Sequence, residues 1–143
     1  MTIGERNKAV YEYIQTYPQL HSWLYFNTIL DAPENASMLT GDDVVVEEYI
    51  DGSKMKNYIF EVAFLKEYDT GTSDINADAI EEAGNFCSWV DEQNELGVFP
   101  IFDIDEEIQS ISINNTLPNM TVNQDTGTAR YTLTCVIAYL TRR

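Results

Sequence analysis

The sequence predicts an α+β domain: a mostly antiparallel sheet of four to five strands with two helices packed on one face, in the order α-β-β-β-α-β-β. Three observations predict it. Two stretches carry apolar residues at helical spacing, an Asp-Gly pair joins two β-rich runs, and the last strand is apolar on both faces.

The first helix spans about residues 5 to 17, where Ala9, Val10, Tyr13, Ile14 and Tyr17 recur on one side and Pro18 ends the pattern. "WLYFNTI" follows as a short aromatic strand. "LDAPENASMLTGDD" has the Pro, Asn, Ser and Gly content of a loop.

"DVVVEEYIDGSKMKNYIFEVAFLKEY" reads as a hairpin turning at Asp51-Gly52, both residues that tolerate positive φ. A two-residue turn would set Ile50 against Ser53 and Glu47 against Lys56. On the second strand, Tyr58, Phe60, Val62 and Phe64 share the expected core face. Ile59, Ala63 and Leu65 lie on the opposite face, which is apolar enough to call for a second layer or a neighbouring subunit.

Ile80, Ala83, Cys87 and Val90 form the stripe of a second helix over about 76 to 95, with Asn76 as its N-cap and Gly97 as its stop. Strands near 107–114 and 129–140 complete the sheet, separated by the loop "TLPNMTVNQDTG". Tyr131, Leu133, Cys135, Ile137 and Tyr139 alternate with Thr132, Thr134, Val136, Ala138 and Leu140, the pattern of a central strand.

At 143 residues the chain is expected to form one domain, residues 1–143. Its 44% hydrophobic content marks a folded body despite a net charge of −16. No Lys or Arg occurs from Glu67 to Ala129, an interval with fourteen carboxylates. So acidic a surface argues against binding free nucleic acid or an anionic membrane. The polar start and the absence of a long apolar run predict a cytoplasmic protein.

The sequence offers no catalytic constellation: no GxSxG elbow, HExxH or GxxxxGK[ST] loop, and His21 has no nucleophile near it in sequence. Cys87 and Cys135 lack CxxC spacing and fall within apolar patterns, as buried free thiols do. A zinc site lacks ligands, and no cofactor is expected. "DIDEE", residues 103–107, has alternating oxygens but not the glycine or distant glutamate of a calcium loop, so an acidic turn is the expectation.

The stretch "WVDEQNELGVFP" is more informative. Trp89 falls on the flank of the second helix's apolar stripe, and two readings stay open: "GVFP" folds back over the indole, or Trp89 anchors a protein interface.

Taken in order, Tyr49, Asp51, Gly52, Ser53, Tyr58, Phe60, Trp89, Gln93, Asn94, Gly97, Pro100, Ala129, Arg130 and Tyr131 resemble the pattern of a known family. It comprises the small minor capsid or tail-completion proteins encoded in the head-tail connection region of long-tailed phages and prophages of Gram-positive bacteria. Two departures stand out: Phe99-Pro100 replaces the family's Leu-Pro, and its Gly-Tyr before the last strand is missing from residues 114–128.

The resemblance implies a structural, non-enzymatic virion protein, similar to tail terminators. It would complete the tail tube and help join head and tail as a ring, hexameric when assembled and monomeric when free. Tail-tube and head-connector proteins would be its partners. It would sit in the host cytoplasm during assembly and then at the virion neck. The competing reading is a small acidic hydrolase or calcium-dependent binding module.

For a ring, the expected contact joins Lys54, Lys56 and Lys66 of one subunit to Asp91, Glu92 or Glu95 of the next. Trp89 would be its anchor, and Ile59 and Leu65 its surplus apolar surface.

Overall fold

A computed structural model describes residues 1–18, 24–26, 35–67, 74–114, 119–123 and 127–142. His21 and most of the segments joining the first strands lie outside them. The elements are α1 (Ile3–Ile14), β1 (Leu24–Phe26), β2 (Asn35–Glu48), β3 (Lys54–Glu67), α2 (Asp74–Leu96), β4 (Glu106–Ile113), β5 (Asn119–Asn123) and β6 (Thr128–Thr141). The fold is α+β, with a sheet in the order β1-β2-β3-β6-β4 and β5 pairing with β6. All pairings are antiparallel except β1 with β2.

α1 starts at a capping box: Glu5 N–H donates to Thr2 Oγ1, and Thr2 N–H donates to Glu5 Oε1, both at 3.1 Å. Val10, Tyr13 and Ile14 then face the sheet. Two-residue alternation places Tyr58, Phe60 and Val62 of β3 beside Ile137, Cys135 and Leu133 of β6, and both helices pack on this face. Rings link the layers: Phe86 of α2 lies 5.4 Å from Phe64 and 5.2 Å from Tyr17. Each such side chain removed from water contributes roughly 1.5–3 kcal/mol.

Residues 35–43, read from composition as loop, belong to β2. Ala36 and Met38 enter the core, and the strand is irregular between Leu39 and Asp42. Gly41 sits at that irregularity because a Cβ there would come within 2.5 Å of the Tyr58 ring and 2.6 Å of the Ile59 carbonyl oxygen. Its N–H donates to Asn7 Oδ1 at 3.0 Å, and Tyr58 Oη also donates to that oxygen. A glycine that signals a loop here admits an aromatic ring. β5 likewise arises within a stretch read as loop.

The hairpin register differs from the expected one. Tyr49 N–H donates to the Ser53 carbonyl at 2.8 Å, Gly52 N–H to the Tyr49 carbonyl at 2.9 Å, and Gly52 has φ +90°. This is a three-residue loop with glycine in the left-handed position. With a second irregularity between Val45 and Glu47, it sets Val45 against Lys56 and Glu47 against Met55, so Glu47 and Lys56 are not opposed.

α2 begins two residues ahead of the expected Asn76 cap. Ala83, Phe86 and Val90 form its buried stripe, while Ile80, expected there, is exposed. Gly97, at φ +70°, ends the helix: Val98 N–H reaches back to the Gln93 carbonyl at 3.0 Å, and Gly97 N–H to that of Asn94 at 3.4 Å. These two bonds define a Schellman motif and satisfy carbonyls the helix leaves open.

Candidate protein interface

Two runs of exposed, largely apolar residues remain once the core is assembled. Along β2 and the hairpin tip they are Val44, Val45, Val46, Tyr49 and Ile50, the last fully exposed at 109%. Between α2 and β4 they are Leu96, Val98, Ile101 and Ile104, with Ile101 at 85% and Ile104 at 101%. β2 and β4 lie on opposite sides of β3 and β6 in the strand order, so the two runs flank the sheet.

Both runs stand on pinned backbone. At the hairpin tip, Asp51 Oδ1 accepts from Ser53 N–H at 3.0 Å and from Ser53 Oγ at 2.6 Å, which holds the Asp51 carboxyl below its ordinary range. Between α2 and β4 the Schellman motif fixes the start. Tyr13 Oη donates to the Val98 carbonyl at 2.8 Å, and burial pushes the Tyr13 phenol up to about 12. Further along, the Arg6 guanidinium lies 4.8 Å above the Phe102 ring, Met1 N pairs with Asp103 at 2.6 Å, and Arg142 N–H donates to the Asp105 carbonyl at 2.9 Å. Ile111 N–H donates to Asn94 Oδ1 at 2.9 Å, tying β4 to the end of α2.

Trp89 shares features of both readings left open. Its indole is half-buried, with ring centroids 5.5 Å from Tyr13, 5.2 Å from Tyr17 and 5.8 Å from Phe86. "GVFP" does return past it, but as the wall of a cleft of about 850 Å³ into which Trp89 also faces. Glu12 and Tyr13 of α1, Gln93 of α2, and Val98, Phe99, Pro100 and Ile101 line the rest.

The other expected contact residues separate into groups. Asp91, Glu92 and Glu95 are exposed near the C-terminal end of α2, where no basic residue offsets the negative end of the helix dipole. At 100° per residue, Asp91 points about 160° and Glu95 about 120° away from Trp89, so neither shares its face. Glu92, about 60° from it, lies on the same side of the helix. Lys54 and Lys56 are partly exposed on β3 beside the hairpin tip.

Lys66 and Leu65 correct the expectation. Lys66 is 5% exposed and forms an ion pair with Glu82 of α2, because β3 directs it to the helix-covered face. Leu65 is 8% exposed, enclosed within its own chain between Asn35 of β2 and Arg130 of β6. Ile59 is half-buried. The far face of the sheet is therefore a smaller apolar surface than its sequence suggests.

Three of the four acids of "DIDEE" face cations of the same chain: Asp103 meets Met1 N, Glu106 meets Arg6 at 2.8 Å, and Glu107 meets Arg142 at 2.7 Å. Among the described residues, no group of three or more His, Cys, Asp or Glu is placed to hold a metal ion. Cys135 is buried and Cys87 partly so, and burial raises the pKa of both thiols, disfavouring the reactive thiolate. No described helix is long and apolar enough to cross a membrane.

The exposed ledge was invisible to periodicity, since "ELGVFPIFDID" has neither a helix nor a strand repeat; four aliphatics among acids were its only signal. No protein-family model matches the chain, and no curated protein matches it.

Proposed function

We propose that this chain is a structural subunit of a phage or prophage virion, one that completes or terminates the tail tube and helps join head and tail by assembling into a ring. The observation that carries the reading is a pair of unlike surfaces on pinned backbone: the exposed apolar hairpin tip beside Lys54 and Lys56, and the acidic outer face of α2 at Asp91 and Glu95. A head-to-tail ring requires each subunit to present different surfaces on its two sides. The ordered motif set resembling tail-completion proteins supports it independently.

In this reading the subunit performs no catalysis. Its hairpin tip, with Val45, Val46 and Ile50, meets a neighbour, and Lys54 and Lys56 beside the tip approach Asp91 and Glu95 on the outer face of the neighbour's α2. The subunit assembles in the host cytoplasm and ends at the virion neck. An acidic lumen would keep passing DNA from adhering to the channel wall.

The test is assembly. Ile50→Asp, at a fully exposed position, should leave the monomer folded by circular dichroism and abolish rings in electron micrographs of tails completed with this protein. Normal rings and normal virions from that variant would sink the proposal.

A further inference from the structure

We infer that the Trp89 cleft and the adjoining ledge form a docking site for a partner protein other than a second copy of this chain, and that the partner inserts a segment with apolar side chains set between lysines or arginines. The inference concerns a surface distinct from the proposed ring contact and stands whether or not a ring forms.

Three features converge on it. The cleft, about 850 Å³, is walled by Tyr13, Trp89, Val98, Phe99 and Ile101, enough room for two or three apolar side chains. It opens onto aliphatics that solvent reaches at Leu96, Ile101 and Ile104. Backbone that has already lost its freedom presents these groups, so binding need not order it, which favours affinity.

Charge selects the occupant. Glu12 lines the cleft, Glu92 lies on the Trp89 side of α2, and Asp105 is exposed on the ledge. Such a rim attracts a basic segment and repels an acidic one.

A second copy is poorly equipped to supply that segment. The chain has 8 Lys and Arg against 24 Asp and Glu. Arg6 and Lys66 are buried in ion pairs, and Arg142 is paired with Glu107. Its own exposed apolar tip carries Glu47, Glu48 and Asp51 alongside Lys54 and Lys56.

The experiment measures fluorescence anisotropy of labelled synthetic peptides against the full chain. The first is a twelve-residue peptide of alternating Lys and Leu/Phe; the second replaces Leu/Phe by Ser, the third replaces Lys by Glu, and the fourth is residues 44–57 of this chain. Saturable binding of the first, with the other three weaker by about ten-fold or more, is the expected result. Ile101→Ser and Glu12→Gln, both at surface positions, should each weaken that binding several-fold, whereas Ile50→Ser should leave it unchanged. Trp89→Ala should abolish it, and the two surface variants keep the test valid if that protein is unstable. Equal binding of the Ser peptide would show only an acidic surface, and tighter binding of the 44–57 peptide would make a second copy the occupant. Either result, or indifference to Ile101→Ser and Glu12→Gln, overturns the inference.

Discussion

Arg6 Nη1 and Glu106 Oε2 lie 2.8 Å apart, joining the first turn of α1 to the first residue of β4 across the end of the core. The same guanidinium meets Asp43 of β2 at 3.1 Å and lies over the rings of both Phe102 and Tyr139. Burial works against its charge, but Tyr139, Asp43 and Glu106 outweigh that and raise its pKa. One helix residue therefore holds both sides of the sheet together.

Removing Arg6 should be costly because it strands two carboxylates. Arg6→Met should destabilise the fold by about 3–5 kcal/mol, the range for breaking a buried pair from one side. Asp43→Asn and Glu106→Gln added to it should restore part of the loss, since the stranded charges are then gone. Urea unfolding of the single and triple variants checks this; a triple variant no more stable than Arg6→Met would assign the cost to lost packing.

Alkaline sensitivity should appear between pH 10 and 12. Burial raises Tyr13 from 10.0 to about 12, and raises Tyr58 and Tyr139 as well. A phenol that holds its proton more tightly when folded contributes stability that is full below the unfolded pKa. That stability is lost as pH rises through the folded value. Tyr13 should therefore titrate together with unfolding. Thermal melts from pH 9 to 12, paired with tyrosinate absorbance, should show a falling Tm over that window; a constant Tm would contradict it.

Two glycines should respond differently to alanine. At Gly97, φ +70° with open space around a Cβ, Gly97→Ala should cost about 1 kcal/mol through backbone strain alone, and Gly97→Asn less. At Gly41 the obstacle is the Ile59 carbonyl and the Tyr58 ring, so Gly41→Ala should cost about 1–3 kcal/mol or more. Tyr58→Leu should relieve Gly41→Ala in part and leave Gly97→Ala unaffected. Equilibrium unfolding of the double variants measures that coupling.

These same positions show what could be read from the sequence. Val10, Tyr13 and Ile14, the Tyr58 to Phe64 alternation and the Gly97 stop were legible because each is a local periodicity or cap. The Thr2 to Glu5 capping box was equally local and marks a helix start earlier than the apolar stripe did. The hairpin's existence was legible from Asp51-Gly52, but not its register, which turns on Gly52 taking the left-handed position one residue later. β2 at 35–43 was hidden because Gly41 answers to Tyr58, a residue seventeen positions away. Lys66 looked available because its partner, Glu82, is on another element. The place of Trp89 beside the apolar stripe follows from helical spacing, yet what it faces depends on a segment folding back from Gly97.

The proposed ring makes an ionic-strength prediction in which two ranges of electrostatics compete. Each subunit carries a net charge of −16, so neighbours repel over distances longer than any contact. Screening shortens that repulsion to about 8 Å at physiological salt and about 3 Å at 1 M. Local attraction of Lys54 and Lys56 to Asp91 and Glu95 acts at about 4 Å and survives moderate salt. Assembly should therefore be weakest at about 10 mM salt, strongest near 150 mM, and weaker again at 1 M to the extent that the lysine pairs matter. Sedimentation velocity at protein concentrations where rings form would trace that curve. Lys54→Gln with Lys56→Gln should lower its maximum and flatten its decline, because the short-range attraction is gone while the long-range repulsion stays. A variant whose curve matches that of the unmodified protein would remove these lysines from the contact.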